Sequence, residues 1–176
     1  MAILPIRIYP DPILRVKTAP VTEFSAPLWR LAADMIETMI AAPGIGLAAP
    51  QVGVSKRLAI VDLSVGEDPD QLHVLVNPEV VQREGSDTDV EGCLSLPGIT
   101  EKVERPVEVA VRAFDLQGNA YELAAEGWLA RALCHEIDHL DGVLFPDRLR
   151  GLRREKVKRQ LRKLAGERES RAGGEL

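Results

Sequence analysis

What this sequence has little of narrows its function first. No stretch approaches the roughly 18 to 20 uninterrupted apolar residues that a membrane helix needs. The segment Met1 to Pro10 carries Arg7 and two prolines where a secretory leader would hold an apolar core. A membrane span and secretion are both disfavoured, and the cytoplasm is the expected compartment. There are only two cysteines, Cys93 and Cys134, enough for at most one disulfide. A chain of 176 residues builds a core without a covalent staple, so both are expected as free thiols in reducing surroundings. Aromatic residues are 4% of the chain and histidines number three, so wherever histidines cluster, the clustering carries information. The length suits one ordinary domain.

Nor is there an overall positive charge: the net value of −5 argues against a nucleic-acid partner, and no DNA partner is expected. That average hides an asymmetry. From Arg148 to Arg171 there are eleven Lys/Arg against three Glu, a local +8, which leaves −13 on the rest. An acidic body therefore carries a basic C-terminal segment.

Apolar spacing predicts a first helix over Ser25 to Ala41, with Leu28, Leu31, Met35 and Met39 on one face, Ser25 as cap and Pro27 in the first turn. Strand-like runs follow at Leu58 to Leu63, Leu72 to Val76 and Val107 to Val111, the last alternating strictly as a half-exposed strand does. Gln117-Gly118-Asn119 reads as a hairpin turn into Tyr121 to Leu123. A second helix is predicted over Trp128 to Leu140, and a third over Pro146 to Ala165 ending at Gly166, with Leu149, Leu152, Val157, Leu161 and Leu164 as its apolar stripe. The acidic stretches Gly66 to Asp70 and Glu84 to Glu91 read as solvated loops, and Glu167 to Leu176 as a flexible tail. Strands grouped in the middle with helices at the ends indicate an α+β fold.

Two of the three histidines stand in His135-Glu136-Ile137-Asp138-His139, an HExxH pattern on a predicted helix. Four residues are slightly more than one turn, so both imidazoles project from one face and can chelate one cation, with Glu136 beside them to handle a proton on activated water. A catalytic site generally wants a third protein ligand. The metzincin pattern would need histidine where Phe145 stands, and that class fails. A thermolysin-like site would take Glu155, Glu167 or Glu169, in the most basic helix or the tail. Cys134 lies about 100° round the helix from His135 and suits a small buried residue instead. Cys93, in Glu91-Gly92-Cys93-Leu94-Ser95-Leu96-Pro97, is the preferred third ligand, against an equally simple reading as a structural cysteine.

Gly44-Ile45-Gly46-Leu47-Ala48-Ala49-Pro50-Gln51 superficially fits a dinucleotide fingerprint, but it follows a predicted helix and runs into Pro50. Its glycines suit close approach of backbone to a ligand, and the Gln51 amide suits an oxyanion, unless the segment is only a tight loop with Gln51 solvated.

These three segments, GIGLAAPQ, EGCLSLP and HEIDHLDG, resemble in order and separation the three motifs of the peptide deformylases, and Ile8 to Arg15 and the C-terminal helix are similar to that family too. The resemblance implies one metal-hydrolase domain over 1–166, with antiparallel or mixed sheets packed around the HExxH helix and flanked by the N- and C-terminal helices. It implies that Cys93, His135 and His139 hold a divalent metal, most often Fe2+ in this family, with Zn2+, Ni2+ or Co2+ as substitutes. Glu136 would be the acid/base. Gln51 and the Leu94 N–H would stabilise the oxyanion, and Ile45, Gly46 and Gly92 would contact a nascent N-formylmethionyl peptide. Cys134 departs from the glutamine common before the first histidine. Two other readings stand beside this one: a cysteine hydrolase using Cys93 with His135 as base, and ribosome docking through basic helix 148–163, which lies where it would meet an RNA backbone or simply face solvent.

Overall fold

The computed structural model describes residues 1–174. Helix α1 (Ala26–Ala41) forms where the apolar spacing places it and buries Leu28, Ala32, Met35 and Met39. Ser25 occupies the cap position, but its hydroxyl donates to the Glu23 carboxylate at 3.2 Å and makes no bond to the helix end. Five antiparallel strands form the main sheet in the order β1 (Gly46–Ala48), β2 (Leu58–Val61), β3 (His73–Glu84), β6 (Glu108–Phe114) and β7 (Ala120–Glu126). Strand β2 is buried on both faces: Leu58 and Ile60 join the cluster under α1, whereas Val61 joins the cluster under α2 (Gly127–Leu140). Alternation of side chains across a strand is what lets one four-residue segment serve two helices.

The half-exposed strand read at Val107 to Val111 is there as β6, and the hairpin at Gln117-Gly118-Asn119 closes it onto β7, with Gly118 at φ +87° and the Asp115 carboxylate accepting from Gln117 and Asn119 backbone. Glu84 to Glu91 is not a loop. Its second half is β4 (Asp87–Gly92), paired antiparallel with β5 (Thr100–Arg105), which no sequence pattern indicated. Acidic residues hide these strands because most of their side chains face water, and the ladder between the two segments supplies the backbone hydrogen bonds regardless.

The third helix also differs. A short 3-10 turn, Phe145–Arg148, precedes Gly151 at φ +57°, and α3 (Gly151–Gly173) begins there. Gly166 does not end it: a mid-helix glycine costs only about 1 kcal/mol, and no neighbouring atom crowds it. Of the segment expected to be flexible, 167–173 continue α3 and the last two residues lie outside the described ones. The break before Gly151 resets the apolar stripe. Leu149, Val157 and Leu161 are buried with Phe145 and Leu14, whereas Leu152, five residues and so about 140° from Val157, is 89% exposed. None of the described helices is long and apolar enough to cross a membrane.

The β4–β5 hairpin is tied to α2 by buried charges. The Glu91 carboxylate accepts from Arg105 Nε and Nη2 at 2.8 and 2.9 Å and from Arg131 Nη1 at 2.8 Å. Asp138 accepts from Arg105 Nη1 at 2.6 Å and from Arg148 at 2.7 and 3.1 Å. Arg131 also donates to the carbonyls of Val103 and Asp87. Burial alone would raise the Glu91 pKa, but the Arg105 guanidinium and the His135 imidazole bonded to it hold it at about 2. Because this folded-state value lies below the ordinary carboxylate range, its stabilisation is present above about pH 4.5 and is lost as pH falls toward 2. Glu91→Gln, which keeps the shape and removes the charge, is expected to lower unfolding free energy at pH 7 by about 3 to 5 kcal/mol and to flatten the acid limb. Urea melts of both proteins at pH 7 and pH 3 check this; an unaltered acid limb would count against Glu91.

Candidate metal centre

Helix geometry puts His135 and His139 one turn apart on α2, with their Nε2 atoms 3.2 Å from each other. Cys93 lies just beyond the end of β4, where the Leu96 N–H donates to its carbonyl at 3.0 Å, and its Sγ is 3.3 Å from His139 Nε2. One donor atom from each of Cys93, His135 and His139 falls within 4.8 Å of the others, the sole such cluster among the described residues. Glu155, Glu167 and Glu169 are no part of it. Cys134 is buried among Val111, Leu133 and Ile137, where burial pushes its thiol pKa up.

These donors suit a metal ion. Four-coordinate bonds of about 2.0 to 2.3 Å space ligand atoms roughly 3.4 to 3.6 Å apart, close to what the cluster shows. His135 Nδ1 lies 2.8 Å from Glu91, whose ionised carboxylate can only accept, so the proton sits on Nδ1 and the Nε2 lone pair faces the cluster. Burial works against charge on both rings. Hydrogen bonds to Cys93 and Glu91 nevertheless hold His135 well above its ordinary value, while burial and the neighbouring His135 push His139 well below.

Glu136 is 5% exposed, and its Oε2 has no hydrogen-bond partner among the described residues. Burial pushes its carboxyl up to about 7, against the opposing pull of His135. Its side chain lies against Gly46: a Cβ there would meet Glu136 Oε1 at 2.5 Å, so the strand carrying GIGLAAPQ needs glycine for close approach to a side chain of the site. Gln51 is 1% exposed, which removes its reading as a solvated loop residue. Its Oε1 accepts from the Ala48 N–H at 2.9 Å, which turns the amide nitrogen toward Ser95 Oγ at 3.2 Å and Cys93 Sγ at 3.6 Å. The N-terminal segment straps this corner: the Arg7 N–H donates to the Gln51 carbonyl at 2.7 Å and the Tyr9 N–H to that of Ser95 at 2.9 Å.

A cleft of about 510 Å³ opens over the cluster, and Ile45, Gly46, Gln51, Gly92, Cys93, Leu94, His135 and Glu136 all line it. Every residue expected at the site therefore lines one cleft except His139, which is buried and joins it through Cys93 and His135. Sequence reasoning missed Glu91, Ser95, Arg105, Arg131 and Asp138. Glu91, Ser95 and Asp138 stood inside recognised motifs, a signal left unused, whereas nothing local marks Arg105 as the partner of Glu91 and Asp138. Trp128, 48% exposed, lies at the cleft with its ring 5.7 Å from the Arg131 guanidinium carbon.

Residues 3–155 match the family model for polypeptide deformylase. The peptide deformylase of Acidobacterium capsulatum is 54% identical over 169 residues, covering 95% of this chain and 99% of that one. That of Alkalilimnicola ehrlichii is 50% identical over 99% of this chain and 98% of its own. Crystal structures of the peptide deformylases from Legionella pneumophila and Thermus thermophilus superpose with TM-scores of 0.86 and 0.87 at 43% and 44% identity, covering 96% and 94% of this chain and 98% and 99% of theirs. With the metal-ligand cluster, the buried glutamate and these relatives in agreement, the chain belongs to the polypeptide deformylase family of enzymes.

Proposed function

We propose that this enzyme removes the N-formyl group from the N-terminal formylmethionine of nascent polypeptides in the cytoplasm, releasing formate, with a divalent metal held by Cys93, His135 and His139. The observation that carries this reading is the convergence of those three donor atoms beside a buried Glu136 in one cleft. Family resemblance makes the ion Fe2+, with Zn2+, Ni2+ or Co2+ as substitutes. When bound, such an ion lowers the pKa of water from about 15.7 to about 7 and polarises a carbonyl.

The chain's own residues do the rest. Glu136, with a carboxyl at about 7, takes the proton of the attacking water near neutral pH and delivers it to the amine as the C–N bond breaks. The Gln51 Nε2 and the Leu94 N–H donate to the oxygen on which charge develops, and Gln51 arrives preorganised because Ala48 already holds its other end. Ile45, Gly46 and Gly92 line the cleft where the methionine is received. A formyl carbon bears only hydrogen, so a narrow site admits it while refusing bulkier acyl groups.

Glu136→Gln is expected to keep its metal and lose about 10² to 10⁴ in kcat, and Cys93→Ala to lose the metal. Anaerobic assay on formyl-Met peptides with metal quantified checks both, and full metal content in the Cys93 variant would remove it from the ligand set. A cysteine hydrolase predicts the reverse pattern, with alkylation inactivating and chelators without effect. Gly46→Ala, whose new methyl group displaces Glu136, is expected to keep normal metal content and lose on the order of 10² in kcat. An unchanged kcat would show that Glu136 tolerates the shift.

We also propose ribosome docking through the basic face of helix 148–163. Exposed cations stand along α3 while Val157 and Leu161 anchor it in the core. Truncation after Asp147 would remove core side chains together with the charge, so Arg159→Glu with Lys163→Glu is the cleaner test. Weaker co-sedimentation with ribosomes, and a shallower salt dependence by roughly one unit of slope per lost phosphate contact, is expected; unaltered binding ends the idea.

A further inference from the structure

A second cleft, of about 460 Å³, opens away from the metal centre between the β4–β5 hairpin and the start of α3. Arg83, Lys102, Arg150 and Arg153 line it, and among the described residues none of the four forms an ion pair. Its wall also includes Arg105 and Arg148 of the buried network. Those two guanidiniums are already paired with the carboxylates of Glu91 and Asp138, so the charge free to meet a ligand is that of the four unpaired cations. Arg105 is 5% exposed and spends three of its five N–H groups on those carboxylates. Glu104 is the single acid lining the cleft, and Ser86 Oγ donates to it at 2.7 Å. Four unpaired cations against Glu104 leave a local surplus of three positive charges among the lining residues, on a protein whose net charge is −5. The first turn of α3 adds to it, since it holds no acidic residue and receives no side-chain cap.

Unpaired like charges gathered in one concavity repel one another and attract an anion that brings several negative charges. A single carboxylate brings one charge and fills little of the volume. Guanidinium forks match tetrahedral phosphoryl oxygens, and linked phosphoryl groups bring the several charges this surplus matches. We infer that this cleft binds a phosphoryl oxyanion with two or more negative charges, of the class of pyrophosphate or consecutive phosphodiesters of an RNA backbone. The site goes beyond the deformylation reading, for it shares no lining residue with the catalytic cleft. It takes Arg150 and Arg153 from the basic segment proposed to dock on the ribosome, adds Arg83 and Lys102 from β3 and β5, and uses neither Arg159 nor Lys163.

Calorimetric titration of the metal-loaded enzyme with pyrophosphate tests the inference, with metal content measured before and after. One-to-one binding is expected, at least about tenfold weaker in Arg83→Glu with Arg150→Glu. Arg168→Glu with Arg171→Glu makes the same change in net charge and is expected to alter that affinity less than about twofold, since these exposed positions lie roughly 22 Å or more along α3 from Arg153, beyond the Debye length. All these positions are exposed, and thermal melts verify that the variants fold. Absence of saturable binding at millimolar pyrophosphate, or equal weakening by the two pairs, overturns the proposal. Anisotropy of a labelled octauridylate separates the sources: competition with pyrophosphate and sensitivity to the Arg83/Arg150 pair assign the site to an RNA backbone, whereas RNA binding indifferent to that pair assigns it to a free phosphoryl compound.

Discussion

Much of this structure depends on one buried carboxylate. Glu91 leaves β4 pointing inward, is 5% exposed, and receives Arg105 from β5, Arg131 from α2 and the Nδ1 side of His135. Burying that charge alone would cost several kcal/mol, and each of its partners would cost as much without it. Their mutual dependence joins a two-stranded hairpin with no wide apolar face to the helix that carries both histidines. It also sets the ring orientation of His135, because an ionised acceptor on Nδ1 leaves Nε2 as the free donor to a cation. Fold and site are thus held by the same hydrogen bonds.

Around this centre the remaining groups are placed by backbone. β1 carries Gly46 against Glu136 so closely that a methyl group would not fit. The Ala48 N–H fixes the Gln51 carboxamide, and the N-terminal strap holds Gln51 and Ser95 by their carbonyls. The proposed proton carrier sits in a dry environment that raises its pKa, and the proposed oxyanion donor arrives already oriented. These are two forms of preorganisation, one electrostatic and one geometric.

The charge asymmetry takes a definite spatial form. Cations cluster in two places, along the exposed face of α3 and in the cleft where its first turn meets the hairpin, and the second draws on residues from β3, β5 and α3 far apart in sequence.

The sequence by itself determined whatever rests on local periodicity. α1, α2, the β6–β7 hairpin and the pairing of His135 with His139 all follow from spacing, since one helical turn or one alternation is enough to place them. Scarcity helped too, because two of three histidines in five residues leave few other meanings. Tertiary structure decided what rests on contacts between distant segments. β4 and β5 are charged in composition and become strands through each other. Leu152 turns to solvent because the chain resets at Gly151, and α3 outruns Gly166 because a single glycine is too small a penalty to stop it. Above all, nothing within a few residues of Glu91 announces Arg105 or Arg131. A buried ion network is defined by which charges the fold brings together, and that information exists only once the hairpin has closed on the helix.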